Sequence, residues 1–424
     1  MSTHAPRAGA GRAAAADQAR GYDRRAGGSP GPAVAGWLRR ALWRGVCWLL
    51  GGLTVRGRAT GRSYAPGAGR IVVANHGSHA DTAALLAALP AAARPVFAAA
   101  ADYWFSAPAR RRLATGLAGI LPVRRGERGA YAALLAAAGP ALAAGRTVIV
   151  YPEGTRSTDG TVGEFHSGAV RLARDCGVPI VVAAVLGTRD VLPKGGRLHC
   201  APMEVRFGPA HDPHRVTAAQ LRTEVVALLG QGPARPRVSP LWARVARLVS
   251  GRRGLLVAFG WGVAEALSWP VMAEMTLVVL AAAVPGRIPL VAAAVVAGSL
   301  TGVLGNAWLA GVGVRVPAPL TTPRMEATAL ADLAAGPTGI LAQALNGIPV
   351  KVYARAAGEL GVDPGALLVW AGVERGLRMA AAALLVWALV RPLHSWLRRC
   401  YGSYVLLTAL GFGSLLSAVV HAWA

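Results

Sequence analysis

Short β-branched runs alternate with Ala- and Leu-rich stretches between residues 70 and 210. Short apolar runs bounded by Gly, Pro or charged residues are typical of buried strands, and the longer stretches are typical of helices. Strands are predicted at IVVA (from residue 71), PVFA (95), TVIVY (147), PIVVAAV (179) and MEVRF (203). Helices are predicted at 81–89, 107–117, 130–144, 165–175 and 217–229, the last capped by Thr217. This alternation predicts an α/β domain.

Long apolar runs dominate the chain after residue 253. They cover about 254–285, 288–314, 366–390 and 402–424, and each is long enough to enter or cross a bilayer core, which needs about 20 residues. The first run holds Glu265, Pro270 and Glu274 near its middle. A broken or re-entrant hairpin is therefore predicted there, within an all-α polytopic membrane domain over 254–424.

The remaining segments flank these two domains. Residues 1–32 lack an apolar core and are predicted to be a disordered leader rather than a signal peptide. Residues 33–54 carry Trp and Arg beside an apolar helical face, which predicts an interfacial amphipathic helix, although a helix packed on the next domain has the same pattern. The α/β domain is assigned to 55–230, and the Pro- and Arg-rich residues 231–253 are predicted to be a basic linker.

Composition and charge favour a lipid environment. The 424 residues are 54% hydrophobic with a mean hydropathy of +0.42, which is too apolar for an ordinary soluble protein. The formal net charge is +25, and most basic residues precede position 250, where they suit anionic headgroups. Nucleic acid is the competing partner. It is disfavoured because the sequence has no zinc-finger spacing, basic heptad helix or aromatic RNA-binding signature.

The cysteines and histidines predict neither a disulfide framework nor a metal site. The four cysteines are scattered without a CxxC spacing. His76 and His79 with Asp81, and His211 with His214, each lack a convincing third and fourth ligand. His79 is expected on a helix surface.

The stretch NHGSHAD, residues 75–81, places polar side chains directly after the first predicted strand. Ser78 and Asp81 have the S-x-x-D spacing of a helix cap, so one interpretation is purely structural. On the other interpretation, Asp81 turns back towards His76 and fixes its tautomer while the imidazole takes a proton from an alcohol. The spacing alone does not decide between them.

Two later loops add arginines to this candidate site. GILPVRR (119–125) and YPEGTRS (151–157) each bring an arginine to a loop after an apolar segment. A guanidinium fork matches a phosphate, so Arg125 and Arg156 could hold an anionic headgroup beside His76. Solvated loop arginines are nevertheless common in so Arg-rich a chain.

These blocks resemble those of the glycerolipid acyltransferases of the lysophosphatidic acid acyltransferase (PlsC) type, over about residues 50–210. NHGSHAD is similar to the family's NHxSxxD block, GILPVRR to its Gly-to-Arg block, YPEGTRS to its third block and VPIVVAAV (178–185) to its fourth, in the family's order. Two positions depart from the pattern. Val182 stands where a second proline is usual, and His166 replaces a common lysine.

The resemblance implies a central mixed sheet flanked by helices and acyl transfer from a thioester to a glycerolipid hydroxyl, without a cofactor or a covalent enzyme intermediate. It implies His76 as general base and Asp81 as its orienting partner. The residues implied in substrate binding are Asn75, Ser78, Arg125, Glu153, Gly154, Thr155 and Arg156. Acyl-CoA and acyl carrier protein thioesters remain alternative donors, and lysophosphatidic acid is one of several possible acceptors.

The membrane half also carries polar candidates. Ionisable groups within hydrocarbon usually face a cavity or one another, and Asn306 follows a small-residue series at Gly298 and Gly302 that would let helices approach closely. The candidate residues of this half are Glu265, Glu274, Asn306, Lys351, Arg375 and Arg378.

Four stretches of this half resemble the DedA family, also called SNARE-associated or VTT-type membrane proteins. They are AEALSWPVMAE, GSLTGVLGN, GIPVKVYARAAG and GVERGLRM, spread over about 255–385. The resemblance implies paired re-entrant hairpins and movement of lipid across the bilayer. The alternative is that the Glu and Arg side chains pair structurally and the helices only anchor the enzyme.

The sequence therefore predicts a multi-pass protein of the bacterial inner membrane with a cytoplasmic acyltransferase domain. Arg252 and Arg253, just before the first apolar run, favour a cytoplasmic entry. The competing prediction is a DedA-like transporter or scramblase in which the acyltransferase part is subordinate. The oligomeric state is not predicted.

Overall fold

The computed structural model describes residues 32–57, 68–100, 119–123, 129–232 and 236–424. Within these ranges the chain forms two compact units, Met1–Pro240 and Leu241–Ala424. The first unit is an α/β fold and the second is helical.

A seven-stranded mixed sheet forms the centre of the first unit. The strands are β1 (Leu53–Arg56), β2 (Arg70–Ala74), β3 (Val96–Ala100), β4 (Ile120–Val123), β5 (Thr147–Val150), β6 (Ile180–Leu186) and β7 (Met203–His211). Their order is β1-β7-β6-β2-β5-β3-β4, and all neighbours are parallel except β6 and β7. The predicted α/β class is confirmed. β1 and β4 were missed because both are short strands at the edges of the sheet.

Helices cover both faces of this sheet. They are α1 (Pro32–Leu49), α2 (Ala80–Ala88), α3 (Ala130–Ala143), α4 (Gly168–Cys176), α5 (Thr188–Val191) and α6 (Ala218–Gly230), with a 3-10 turn at Ala91–Ala93. Thr217 caps α6 in a capping box with Gln220, as predicted. The helix predicted at 107–117 lies outside the described residues.

The helix predicted at 33–54 ends earlier than expected. Gly51 and Gly52 follow α1 with φ values of +123° and +93°, which only glycine adopts without strain. The chain then turns into β1, which pairs with β7. The prediction extended the helix too far because Leu53 and Thr54 continue its apolar texture.

Alternate residues of β2 enter two separate cores, which explains why its sequence is continuously apolar. Val72 and Ala74 pack on the side of α2, whereas Ile71 and Val73 pack on the side of α3 and α4. Each fully buried Val or Ile contributes roughly 1.5–3 kcal/mol to folding. A parallel strand buried on both faces has this composition.

The parallel strands β2, β5 and β6 end at the same edge of the sheet. β2 runs beside both β5 and β6, so the residues that follow Ala74, Val150 and Leu186 emerge together. The carboxyl edge of parallel strands is where α/β folds place their ligands. This topology brings the NHGSHAD and YPEGTRS blocks into one place.

The second unit is built from helices of very different lengths. They are α7 (Pro240–Ser250), α8 (Arg252–Leu267), α9 (Met275–Val279), α10 (Ile288–Gly311), α11 (Pro323–Ala334), α12 (Gln343–Asn346), α13 (Val350–Glu359) and α14 (Pro364–Trp423). Short 3-10 segments lie at Ala281–Ala283, Pro285–Arg287 and Pro337–Ala342. The stretch predicted as a linker contains α7. This helix begins at Pro240, and proline is favoured at the first position of a helix.

Two segments of the described chain, Pro285–Gly311 and Pro364–Trp423, are long and apolar enough to cross a membrane. The predicted runs 366–390 and 402–424 both lie in the second segment, and they correspond to two helices that meet at a kink at Cys400, where the backbone departs from helical geometry. The first run is interrupted after Leu267, as its Glu and Pro residues predicted, and α8 is only 16 residues long. Paired re-entrant hairpins are not established by this arrangement.

Glycines let α8 and α10 pack closely, as the small-residue series predicted. A Cβ atom on Gly298 would lie 2.0 Å from the carbonyl oxygen of Phe259, and one on Gly302 would lie 2.7 Å from that of Val263. Asn306, one turn further on, donates to the carbonyl oxygens of Ala266 at 2.9 Å and Lys351 at 3.2 Å. Its amide therefore ties α10 to two neighbouring segments.

Candidate active site

His76 is held by its backbone at the end of β2. Its N–H donates to Oε1 of Glu153 at 2.7 Å, and its carbonyl oxygen accepts the N–H of Ser157 at 2.8 Å. Asn75 is bound to β6, since its side chain donates to the carbonyl of Val185 at 3.0 Å and accepts the N–H of the same residue at 2.8 Å. Asn75 thus fixes the turn, and this geometry does not support its expected contact with substrate.

The side chains of His76 and Asp81 form a hydrogen-bonded pair. Nδ1 of His76 lies 2.9 Å from Oδ2 of Asp81, with the imidazole 14% exposed and the carboxylate 0% exposed. The same Oδ2 accepts the N–H groups of Gly77 and Ser78, both at 2.9 Å. A carboxylate held in this way keeps the proton on Nδ1 and leaves Nε2 as the acceptor.

Both interpretations of the S-x-x-D spacing apply at once. Asp81 reaches back to the N–H of Ser78, which is the capping arm, and uses the same oxygen to orient His76. Ser78 Oγ accepts the N–H of Ala80 at 3.0 Å and donates to the carbonyl of Leu192 at 2.7 Å. Because Ser78 is fully buried and its hydroxyl is engaged, its expected contact with substrate is not supported.

Glu153 acts on the backbone in this geometry. Besides the N–H of His76 on Oε1, its Oε2 accepts the N–H of Gly163 at 2.9 Å. Both oxygens therefore hold loops, and a carboxylate would repel a phosphate group. Gly154 supplies the turn that makes this possible, since its φ of +71° lies in the left-handed region. The expectation that Glu153 binds glycerol phosphate is not supported by these contacts.

Arg156 is the arginine that remains available beside His76. It is half-buried, and its guanidinium makes no hydrogen bond or ion pair with the residues that the structure describes. Thr155 is exposed, and its hydroxyl lies 3.4 Å from the carbonyl of Arg156. Arg125 lies outside the described residues, two positions after β4.

His79 lies closer to the site than predicted. It is half-buried rather than on a helix surface. Burial, and then the positive charge of Arg156, lower its pKa to about 4. His79 is therefore neutral at pH 7, and Arg156 has no positively charged imidazole of His79 beside it.

Two residues at the site were missed. Tyr151 stacks on His76, with ring centroids 4.0 Å apart and an interplanar angle of 9°. Arg189, on α5 after β6, packs its stem against Gly77 and donates to the carbonyl of Thr158 at 2.5 Å. Each lies within three residues of the end of a strand that flanks β2, a signal that can be used only when the strand order is known.

The ionisable candidates of the second unit pair with one another. Arg375 lies 3.3 Å from Glu265 and 3.4 Å from Glu374. Arg378 contacts Glu274 and lies 3.4 Å from Glu374, and it donates to Gln343 at 2.9 Å. These side chains form one mostly buried charged cluster, as the apolar sequence around them predicted.

Lys351 has a different environment from this cluster. Its Nζ donates to the carbonyl oxygens of Ser268 at 2.9 Å and Pro319 at 3.0 Å. Ser268 directly follows the last residue of α8, where carbonyl groups lack helical partners. Lys351 thus caps the C-terminal end of α8, which is a structural role.

Metal ligands do not converge in the described part of the chain. No group of three or more His, Cys, Asp or Glu side chains is placed there to hold a metal ion. None of the four cysteines, all of which lie in the described ranges, forms a disulfide.

Comparison with known proteins places the site in a family context. Residues 56–185 match the model of the Acyltransferase family. The chloroplastic 1-acyl-sn-glycerol-3-phosphate acyltransferase BAT2 of Brassica napus is 34% identical over 82 residues, which are 19% of this chain and 24% of that protein. The chloroplastic enzyme LPAT1 of Arabidopsis thaliana, with the same description, is 34% identical over 82 residues, 19% of this chain and 23% of its own.

A solved structure is also similar. The 1-acyl-sn-glycerophosphate (LPA) acyltransferase PlsC from Thermotoga maritima is 26% identical, covers 46% of this chain and 78% of its own, and has a TM-score of 0.37. The match to the curated relatives spans about a quarter of their length. His76 and Asp81 lie within the segment that matches the Acyltransferase model.

Proposed function

We propose that the first unit transfers a fatty acyl group from an acyl thioester to the free hydroxyl of lysophosphatidic acid or a related lysophospholipid. The observation that carries this proposal is the 2.9 Å contact between His76 Nδ1 and a fully buried Asp81 carboxylate, at the sheet edge where ligands bind. The relatives named as 1-acyl-sn-glycerol-3-phosphate acyltransferases support the choice of acceptor. No cofactor enters this reaction.

The proposed chemistry uses one proton and one leaving group. Nε2 of His76 accepts the proton of the acceptor hydroxyl as its oxygen attacks the thioester carbonyl carbon. The tetrahedral intermediate expels the thiolate, which takes this proton from the imidazolium and leaves as a thiol, so that His76 returns to its neutral form. Asp81 stabilises the imidazolium between these steps without becoming protonated.

Arg156 is proposed to bind the phosphate of the acceptor. Its guanidinium is uncommitted among the described residues and lies close enough to His79 to lower the pKa of that histidine. A planar fork of donors suits a phosphate bound in two places. Arg125 is proposed as the second phosphate ligand on the strength of its sequence block alone. The donor is proposed to be acyl-CoA or an acyl carrier protein thioester.

A membrane location is proposed for the whole chain. Helix α1 exposes the apolar side chains of Trp37, Leu38 and Leu42, and Trp37 is 62% exposed. The same helix carries three arginines and no acidic residue. Such a face suits the headgroup boundary of a bilayer. On α14, the exposed Leu384, Leu385 and others suit lipid tails. We propose the bacterial inner membrane, with the acyltransferase unit on the cytoplasmic side.

The decisive experiment measures turnover by the purified full chain. Radiolabelled acyl-CoA or acyl carrier protein thioester is supplied with lysophosphatidic acid in mixed micelles, and labelled phosphatidic acid is quantified. Turnover should be abolished by His76→Ala and retained by His214→Ala, which replaces an exposed histidine elsewhere in the same unit. Wild-type protein inactive with every lysophospholipid and both donors would rule the proposal out.

A second candidate function is lipid movement across the bilayer by the second unit, with a subordinate acyltransferase unit. The buried cluster of Glu265, Glu374 and Arg375 favours it. Ionisable side chains within apolar membrane helices are energetically costly, and they often mark the pathway of a substrate or an ion. Fluorescent lipid flip-flop in proteoliposomes tests it. Flip-flop that survives His76→Ala but is lost in Arg375→Ala, with unchanged helicity, would support transport. Absence of flip-flop in the wild type leaves the cluster a structural one.

A further inference from the structure

The imidazole of His76 stacks on one aromatic ring, that of Tyr151, which the sequence analysis did not single out as a functional residue. Tyr151 is the first residue after β5, and its ring lies parallel to the imidazole with centroids 4.0 Å apart and 9° between the planes. The ring of Phe97, on β3, also packs on Tyr151, with ring centroids 5.9 Å apart. Asp81 contacts the imidazole in its plane at Nδ1. The ring is thus held at one edge and on one face.

We infer that Tyr151 is a positioning residue for proton transfer at His76, acting through the face of its ring. This inference rests on the proposed acyltransferase function and adds a residue to it. A single hydrogen bond to Nδ1 leaves the imidazole free to rock about that contact. The parallel stack restricts this movement, so that Nε2 stays directed towards the acceptor hydroxyl.

The stack also favours the charged form of the imidazole. When His76 takes the proton, the imidazolium faces the negative π-surface of the Tyr151 ring, an attraction that grows where water is excluded. The attraction is absent in the ground state, where the imidazole is neutral. Stabilisation present only after proton transfer lowers the barrier of the chemical step.

The hydroxyl group of Tyr151 does not take part. It lies 3.5 Å from Oγ1 of Thr82, at the outer limit of hydrogen bonding. Burial, and then the negative charge of Asp81, raise the pKa of the phenol well above its usual value. The phenol therefore stays neutral at working pH and exchanges no proton with the substrate. The functional part of the residue is the ring.

The test compares aromatic and aliphatic replacements in the full-length chain. Tyr151→Phe keeps the ring and should retain kcat within about 2-fold. Tyr151→Leu removes the ring face and should lower kcat about 10-fold, with KM for both substrates within about 2-fold. Tyr131→Leu, which removes a tyrosine from the surface beside α4, should leave kcat unchanged.

The pH profile separates positioning of the proton transfer from loss of folding. Without the π-face the imidazolium is less stable, so the acid limb of the kcat profile should move to lower pH in Tyr151→Leu and stay in place in Tyr151→Phe. A merely structural residue would lower kcat at all pH values alike. Tyr151→Trp provides a second aromatic variant if the leucine replacement does not fold.

An activity-independent measurement keeps the inference testable by itself. The protein is labelled with ¹³C-histidine, His76→Gln assigns the His76 signal, and its titration midpoint is measured by NMR in wild type and in Tyr151→Leu. A midpoint at lower pH in the variant is expected. An unchanged midpoint, or a Tyr151→Phe variant as impaired as Tyr151→Leu, overturns the inference. If the wild type showed no turnover, the proposed function would be ruled out. The NMR titration would still show whether the Tyr151 ring stabilises the charged form of His76.

Discussion

Glu153 Oε1 accepts the backbone N–H of His76 at 2.7 Å, although the two residues lie 77 positions apart in the chain. The second oxygen of the same carboxylate accepts the N–H of Gly163. Glu153 therefore connects the loop after β2 with the loop after β5 through backbone groups that would otherwise need other partners. The position of the imidazole depends on this carboxylate.

Replacement of Glu153 should affect the chemical step more than acceptor binding. The amide of Glu153→Gln keeps one accepting oxygen and loses the other, so one of the two loops is released. We expect kcat to fall roughly 10- to 100-fold with a smaller change in KM for lysophosphatidic acid. Steady-state kinetics check this, with Glu164→Gln as the exposed control. A rise confined to the acceptor KM would show that Glu153 binds substrate.

Asp81→Asn should remove most activity while keeping the fold. The amide oxygen of asparagine can still accept the N–H groups of Gly77 and Ser78, so the turn is preserved. The charge that stabilises the imidazolium is lost, and kcat should fall roughly 100-fold to 10,000-fold. Turnover assays and circular dichroism check the two halves of this prediction. Activity near that of the wild type would show that His76 works without its carboxylate.

Arg156 should contribute to acceptor affinity through phosphate. Arg156→Met should raise KM for lysophosphatidic acid about 10-fold or more, because a charge-assisted bond to phosphate is lost. With monoacylglycerol as acceptor, which lacks the phosphate, wild type and variant should converge. Arg215→Met is the control, since the Arg215 side chain is largely exposed. A kcat effect that is equal for both acceptors would contradict phosphate binding.

Stability should fall on acidification because of His79. Burial and then Arg156 lower its folded pKa to about 4, from an ordinary value of 6.5. Between these pH values the unfolded chain binds a proton that the folded chain does not, so the free energy of unfolding decreases as pH falls from about 6.5 to 4.

His79→Gln removes that proton uptake. The apparent Tm of the full chain in detergent should therefore drop less between pH 7 and pH 5 in this variant than in the wild type. The exposed His214→Gln should behave as the wild type does. Equal drops in all three proteins would show that His79 does not set the acid sensitivity.

Close packing of α8 and α10 should tolerate no side chain at Gly298. The new Cβ of Gly298→Ala would lie 2.0 Å from the carbonyl oxygen of Phe259, so the helices must separate. We expect a loss of roughly 1–3 kcal/mol in unfolding free energy. Gly305→Ala, on the same helix, meets nothing within 4 Å and should be neutral or slightly stabilising. Thermal unfolding of both variants in detergent checks the difference.

Much of the first unit could be predicted from local pattern. The strands containing Val72, Ile149 and Val182 are continuous apolar runs because both of their faces are buried, and that composition is visible in sequence. The edge strand beginning at Leu53 was not predicted, since its burial pattern is only partial. The helix at 33–54 was extended too far because the residues of this strand continue the pattern of the helix.

The second unit was predicted less completely. Apolar content predicted long helices from about 288 and 366, close to the observed starts at Ile288 and Pro364, but not the exact place of the kink at Cys400. The sequence predicted that the Glu and Arg side chains could pair, but not which Glu pairs with Arg375, nor that Lys351 contacts carbonyl oxygens instead. Arg375 and Lys351 looked alike in the sequence, as basic residues within apolar segments. The structure distinguishes them, because Arg375 pairs with carboxylates and Lys351 donates to carbonyl oxygens.

The sequence by itself determined the strand and helix alternation, the apolar second half and the residues able to do chemistry, because each is recorded in neighbouring positions. It left open whether Asp81 caps a helix or orients His76, and the tertiary structure shows one oxygen doing both. The roles of Glu153 and Tyr151 were decided only by tertiary structure. Both depend on β5 lying beside β2, and strand order is set by long-range packing that periodicity does not encode.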